Sequence, residues 1–515
     1  MYFKMNGACL QGIDGTIVDV EIDISSGLPY FQIVGLPDSS VKESTERVRS
    51  ALKNSGAVFP LERITINLAP ADVRKEGSSF DLAIATGVLS ASGQLNVPGL
   101  ERCLTIGELS LDGRLRPVRG VLSMVDAAKR RGLSNVLLPA ENVREAMLIE
   151  GMRIVGIGAV KELMELSGTD PFQEIAPSQG VGRTPLLSDN DEIFMEDFVD
   201  VFGQYQAKRA LTIAAAGFHN LIFIGPPGSG KTMLIRRLPS ILPALTDEES
   251  LEVTKVYSAA GLITDRTKLI RHRPFRNPHH TVSMGGLVGA GSYPKPGEVS
   301  LAHRGVLFLD ELPEFPRSVL EVLRQPIEDR RVTIGRARAV FTFPTHFMLA
   351  ASMNPCPCGF YGFPTAATAC SCSPLKVQQY RSRISGPLLE RIDLHVEVPR
   401  IEYDAIKHAA GGGDSSFDLR ARVGKALERQ ALRYAGTPVR FNGELTGRKL
   451  REHCQLPPEG DKLLASSFEA MGLSVRSHDR ILKIARTIAD LAGSEAIQTE
   501  HLAEALQYRT LDRNR

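Results

Sequence analysis

One segment, LIFIGPPGSGKTML at residues 221–234, constrains the chain more than any other. Its apolar opening predicts a strand, and the glycine-rich stretch after it predicts a tight loop that opens into a helix. Gly225, Gly230, Lys231 and Thr232 fit the spacing Gly-x4-Gly-Lys-Thr, with Pro226, Pro227, Gly228 and Ser229 completing the loop. Glycines there let backbone N–H groups wrap the phosphates of a nucleotide such as ATP. Lys231 would reach the β- and γ-phosphates, and Thr232 would ligate Mg²⁺. A chance glycine-rich turn is the alternative; the strand before and helix after argue against it.

Two further strand ends add chemistry. Val306–Leu309 is a continuous apolar run, as a strand buried on both faces requires, and it ends in Asp310-Glu311. Asp310 is placed to hold the Mg²⁺ shell and Glu311 to polarise an attacking water as general base. A third run, HFMLAASMN, ends at Asn354, whose amide could orient that water; a capping role is the bland reading.

The 515-residue chain is long enough for about three domains, each with a buried core. At 43% hydrophobic and 23% charged residues it is not globally disordered. Its longest apolar runs, Val306–Leu309 and Phe347–Ala351, fall far short of the roughly 20 residues of a membrane span. The start, MYFKMNGACLQG, is broken at Asn6 and Gly7, so no secretory leader is expected and a cytoplasmic location is. A net charge of +2 does not advertise a nucleic-acid partner, so any such surface must be local.

Texture divides the chain. Residues 1–166 alternate strands and helices of α+β type, as in TIVDVEIDIS and DSSVKESTERVRSALKNSG. Residues 167–196, rich in Gly, Pro, Ser and acids, predict a linker. A βαβ pattern follows over 197–400. Residues 401–515 are helical after a second linker candidate, AAGGGDSSF at Ala409–Phe417.

The segments GQYQAKRALTIAAAGFHNLIFIGPPGSGKTML, RPFRNPHHTVSMGGLVGAG, PKPGEVSLAHRGVLFLDELPEF and NPCPCGFYG resemble the magnesium-chelatase-like AAA+ family known as ComM or YifB. The resemblance covers nearly the whole chain. It implies a multidomain α/β protein: an N-terminal Lon-protease-like domain of ribosomal-S5-domain-2 type, a P-loop AAA+ core and a C-terminal helical lid. It further implies a ring-forming ATPase, usually hexameric, that uses ATP and Mg²⁺. In the family's characterised members the activity is DNA branch migration in natural transformation, with helicase action. Single-stranded or branched DNA and recombination proteins are the implied partners. SGPLLERIDLHV is similar to the segment carrying an arginine supplied to the neighbouring subunit, which points to Arg391; its alternative is an ion pair with Glu390 or Asp393. LSVRSHDRILKIARTIADL resembles the lid helix bearing a second sensor arginine, for which Arg476 is chosen over Arg480 and Arg486.

EDRRVTIGRARAVFTF predicts a strand, a Gly335-containing turn and a second strand, gathering Arg330, Arg331, Arg336 and Arg338. It resembles a pore hairpin, and the insertion around Met284–Glu298, with Lys295, a second pore loop. Such arginines would track DNA phosphates without reading sequence; otherwise they pair with Glu328 and Asp329. In the N-terminal part, Ser79 falls where a Lon-type nucleophile would lie, but Leu122 holds the position expected of the lysine base, so peptidase activity is not expected. Cys356, Cys358, Cys370 and Cys372 are a candidate Zn²⁺ site, although Cys-x-Cys in a strand would splay its thiols; buried or redox-active thiols are the alternative. His279 and His280, on opposite sides of a predicted strand, are assigned no role. A second function class remains open, a chelatase-like motor that remodels a protein partner.

Overall fold

The computed structural model describes the chain except residues 73, 181–195, 264–267, 292–294, 337–338, 365–368, 402–413, 510 and 512–515, and the side chains of 336 and 339. Half of the first expected linker and the start of the second lie outside the described residues.

The first part is built on β1 (Tyr2–Gln11), β2 (Asp14–Ser25), β3 (Tyr30–Val34), β4 (Arg63–Ala69) and β5 (Cys103–Thr105). A short ribbon of β6 (Glu108–Leu109) and β7 (Leu115–Arg116) follows, then β8 (Asn135–Pro139) and β9 (Arg153–Ile157). Seven of these form one mixed sheet in the order β3-β4-β2-β1-β5-β8-β9. The alternation read in TIVDVEIDIS is real: Val18, Val20, Ile22 and Ile24 are buried and Asp23 is exposed. Helix Ser39–Asn54 starts where Asp38 accepts a hydrogen bond from the Val41 N–H at 2.7 Å, and it buries Val41, Val48, Ala51 and Leu52. The helices Asp81–Ala91 and Val121–Arg130 complete two cores around this sheet.

The second part centres on a wholly parallel sheet. Its strands are β10 (Leu221–Ile224), β11 (Phe275–Arg276), β12 (Val306–Leu309), β15 (Met348–Met353) and β16 (Leu394–Glu397), in the order β11-β12-β15-β10-β16. Between β12 and β15 the chain forms an antiparallel hairpin of β13 (Arg331–Arg336) and β14 (Ala339–Pro344). Every residue of β10, β12 and β15 is buried, as expected of strands covered on both faces. Loops at the carboxyl ends of β10, β12 and β15 therefore meet, which is where an open parallel sheet presents its ligand crevice.

The C-terminal part is helical, with Ser416–Arg433, Pro458–Met471, Val475–Ala492 and Thr499–Gln507 as its longer helices. It shares one continuous core with helix Tyr205–Gly217 and one face of the parallel sheet: Ile484 and Ala485 join the same cluster as Phe223 and Val396. A polar knot secures the junction. Asp197 accepts from the Val199 and Ser416 N–H groups at 2.7 and 3.0 Å, and Lys208 donates to the Phe198 carbonyl at 3.0 Å. Among the described residues no helix is long and apolar enough to cross a membrane.

Candidate nucleotide site

The glycine loop leaves β10 at Ile224 and enters helix Lys231–Arg236 directly after Gly230. Gly225 is sterically required: a Cβ there would lie 2.1 Å from the Val398 carbonyl oxygen. Gly228 and Gly230 take φ of 75° and 88°, a region costly for other residues, and this turns the backbone into an open cradle.

Lys231 is buried, and its ammonium donates to the Gly225 and Pro226 carbonyls at 2.8 and 2.9 Å and to Asn354 Oδ1 at 3.3 Å. Burial pushes its pKa down, against the pull of Asp310 and Glu311. Thr232 Oγ1 donates to Asp310 Oδ2 at 2.9 Å. The strand tips thus bring Lys231, Thr232, Asp310 and Asn354 together, as their spacing predicts. Glu311 stands next to Asp310, exposed and with φ +53°, a left-handed backbone uncommon outside glycine and costing of order 1 kcal/mol. Its N–H donates to Asp310 Oδ1 at 3.1 Å, which holds the turn. These groups fit a Mg²⁺–triphosphate: a cation and amide cradle for phosphates, a hydroxyl–carboxylate pair for the metal and a free carboxylate beside them.

Two contributors escape the sequence reading. The Ser352 hydroxyl donates to Asp310 Oδ1 and lies 3.3 Å from the Glu311 N–H, so it orients both acids. A lone hydroxyl in an otherwise apolar strand is the available signal. Gln204, at φ +50°, donates to the Pro399 and Ser229 carbonyls at 2.7 and 3.2 Å and ties the loop to the segment after β16.

Arg391 and Arg476 lie elsewhere. Arg391 precedes β16, at the amino ends of the strands, whereas the glycine loop follows their carboxyl ends; a four-residue strand alone separates such ends by roughly 13 Å. Arg391 pairs with neither Glu390 nor Asp393: it meets Glu328 at 2.6 Å and donates to the Pro387 carbonyl at 2.7 Å. Asp393 instead pairs with Arg480 and accepts from the Asn220 N–H, which places the start of helix Val475–Ala492 at the same sheet end. Arg476, largely exposed, reaches Glu390 at 3.7 Å and the same Glu328 at 4.0 Å. A lid over this chain's own glycine loop would need that helix at the other end of the sheet.

The hairpin forms as expected, but Gly335 lies within β13, opposite Val340, rather than in the turn. Arg331 is exposed; Arg330 pairs with Glu444 at 3.2 Å, not with Glu328 or Asp329. Arg338 and the Arg336 side chain lie outside the described residues. The second insertion abuts the hairpin: a Cβ on Gly289 would lie 2.9 Å from Ile334 Cδ1, and Lys295 is exposed beside it. The β1–β2 turn also reaches the hairpin, where a Cβ on Gly12 would lie 2.7 Å from the Thr342 carbonyl.

Ser79 is buried, and its hydroxyl donates to the Ala8 carbonyl at 2.8 Å; Leu122 is sealed in a core. Phe80 is likewise buried, and Asp81 is held by Arg47 at 2.7 Å. Among the described residues Ser79 has no basic side chain as a hydrogen-bond partner; Ser79→Ala is expected to leave ATP turnover unchanged and casein intact in both proteins. Casein cleavage lost only in the variant would reverse this. His279 and His280 are in a turn, not a strand, with ring centroids 4.0 Å apart. The four clustered cysteines also lie in turns and loop, and their thiols converge rather than splay.

A parallel sheet carrying a glycine loop, an acidic strand end and a polar strand tip defines a module of the P-loop class. Three family profiles match the chain: magnesium chelatase, subunit ChlI, over residues 197–406; subunit ChlI of Mg-chelatase over 20–142; and the magnesium chelatase subunit ChlI C-terminal profile over 413–509. The chain is 43% identical over 512 residues to competence protein ComM of Haemophilus influenzae, covering 98% of this chain and 96% of that one. It is 42% identical over 503 residues to the uncharacterized protein YifB of Escherichia coli, covering 98% and 96%. Similarity to Lon protease 2 of Bacillus subtilis is 26% over 192 residues, 34% of each chain. The chain belongs to the ComM/YifB family of magnesium-chelatase-like proteins.

Proposed function

We propose that the protein is an ATP-driven, ring-forming DNA motor of helicase or branch-migration type that acts in homologous recombination in the cytoplasm. The observation that carries this reading is the separation of its catalytic groups. Lys231, Thr232, Asp310, Glu311 and Asn354 sit at one end of the parallel sheet, while Arg391 and Arg476 sit at the other. A head-to-tail ring, most simply a homo-hexamer, brings one subunit's arginines to the next subunit's nucleotide. The division into residues 1–166, 197–400 and 401–515 is part of this proposal, as are the roles of these residues.

Lys231 and the loop amides bind the triphosphate, Thr232 and Asp310 hold Mg²⁺, and Asn354 and Glu311 orient and deprotonate the attacking water. The bound Mg²⁺ neutralises charge on the phosphates. Arg391 from the neighbour stabilises the transferring phosphoryl group, and Arg476 supports it.

DNA as the polymer is supported by the exposed hairpin and insertion, whose Arg331 and Lys295 face solvent, and by the name of the Haemophilus relative, a competence protein. Recombination proteins are the corresponding protein partners. The ChlI profile favours a second reading, a motor that remodels a protein partner and does not act on DNA. ATP hydrolysis measured with and without single-stranded and branched DNA at two salt concentrations separates them. Stimulation that fades with salt is expected of a phosphate-tracking motor; robust turnover indifferent to DNA would favour the second reading. Replacing Arg336 and Arg338 by alanine is expected to keep basal turnover and remove the stimulation. Full stimulation in that variant would take the hairpin off the DNA path.

A further inference from the structure

We infer that Cys356, Cys358, Cys370 and Cys372 hold a structural Zn²⁺ that braces the nucleotide loop. The chain leaves β15, passes Asn354, and turns at once through Cys356 and Cys358; Cys370 and Cys372 return to the same point just before helix Pro374–Arg381. Cys356 is fully buried and the other three are partly so. The Cys356 sulfur lies 3.3 Å from that of Cys358 and 3.8 Å from that of Cys370, and the Cys358 and Cys370 sulfurs are 3.6 Å apart. All four sulfurs fall within 4.8 Å of one another.

These separations identify the ligand. A tetrahedral ion with Zn–S bonds of about 2.3 Å places its sulfurs about 3.8 Å apart. A disulfide would need about 2.05 Å, and all four cysteines are free. A two-iron cluster divides its thiolates between two metals and spreads them beyond this spacing. A closed set of four thiolates with no open position suits a redox-inert structural ion, which is zinc. The surroundings are built for it. The Tyr361 N–H points at the Cys356 sulfur at 3.4 Å, and Arg381 stacks over the Tyr361 ring at 5.3 Å while donating to the Pro355 carbonyl at 3.2 Å.

The knot touches the nucleotide loop directly. Gly359, at φ +88°, closes the first turn by donating to the Cys356 carbonyl at 3.0 Å. A Cβ on Gly359 would lie 2.6 Å from Cδ of Pro227, inside the glycine loop. Asn354, which accepts from Lys231, is separated from Cys356 only by Pro355. The ion therefore pins both the strand tip and the turn that backs Pro227. This second half rests on the nucleotide reading above; the presence of the ion does not.

The test is metal content of the full-length protein purified without chelator, read by mass spectrometry, together with binding of a fluorescent ATP analogue. About one zinc per chain is expected, lost in Cys370→Ser and Cys372→Ser. Stripping wild type with a mercurial thiol reagent and a chelator should weaken analogue binding by about tenfold, without recourse to any variant. Gly359→Ala should keep its zinc and lose a similar factor. Zinc far below one per chain, iron in its place, or zinc retained in both serine variants would overturn the site. Unchanged affinity in stripped protein and in Gly359→Ala would overturn the brace. Loss of all nucleotide binding in untreated protein would instead count against the nucleotide reading and leave the metal result standing.

Discussion

Lys231→Ala is expected to abolish ATP turnover and to weaken nucleotide binding by roughly 100-fold, about 2.8 kcal/mol. The size follows from the setting. The Lys231 ammonium is buried, and its hydrogen bonds run to the Gly225 and Pro226 carbonyls and to Asn354. Those carbonyls are weak, neutral partners for a desolvated cation. A triphosphate offers it formal negative charge in a site already stripped of water, and charge-assisted hydrogen bonds are about twice as strong as neutral ones. The same burial that lowers the lysine's pKa makes its contact with phosphate count. Isothermal titration with an ATP analogue measures the loss, and a thermal melt of the variant checks that the fold survives. Full turnover in Lys231→Ala would dismiss the loop as the nucleotide site.

Arg391→Ala is expected to bind nucleotide normally yet hydrolyse it about 10³-fold or more slowly, the effect of an arginine that meets only the transition-state charge. Its position at the amino ends of the strands puts it out of reach of this chain's own loop. The proposal of action between subunits has a sharper check. Neither Arg391→Ala nor Lys231→Ala alone should turn over ATP, but a one-to-one mixture should regain activity. In a randomly mixed head-to-tail ring about a quarter of the interfaces pair an intact loop with an intact arginine. A mixture as inactive as its components would place the arginine's effect within one subunit.

The nucleotide loop is legible in the sequence because its chemistry is local. Gly225 to Thr232 are contiguous, and the run that delivers Asp310 is wholly apolar and the one that delivers Asn354 nearly so, so pattern alone marks the strands and their tips. What sequence does not reach depends on contacts between distant segments. Proximity in the chain offers Glu328 as a partner for the hairpin arginines; packing gives it to Arg391 and Arg476 instead. The helical period of Val475–Ala492 marks an apolar face but not which end of the sheet that face meets. Asp393, Arg480 and Asn220 decide that. The cysteines and the adjacent histidines depart from expectation for a simpler reason. A strand would turn the adjacent histidines to opposite faces and hold the Cys-x-Cys thiols about 7 Å apart on one face; in the structure both sets lie in turns or loop, where they converge.

Glu328 has one more consequence. It sits in the last turn of helix Arg324–Asp329, and the backbone reverses at Arg330, φ +54°, to enter the hairpin at Arg331. The carboxylate that clasps both arginines is thus rooted at the base of the arm proposed to grip DNA. On the proposed head-to-tail ring, the helix whose Glu328 holds Arg391 and Arg476 is therefore covalently continuous with the arm, through a single residue, Arg330.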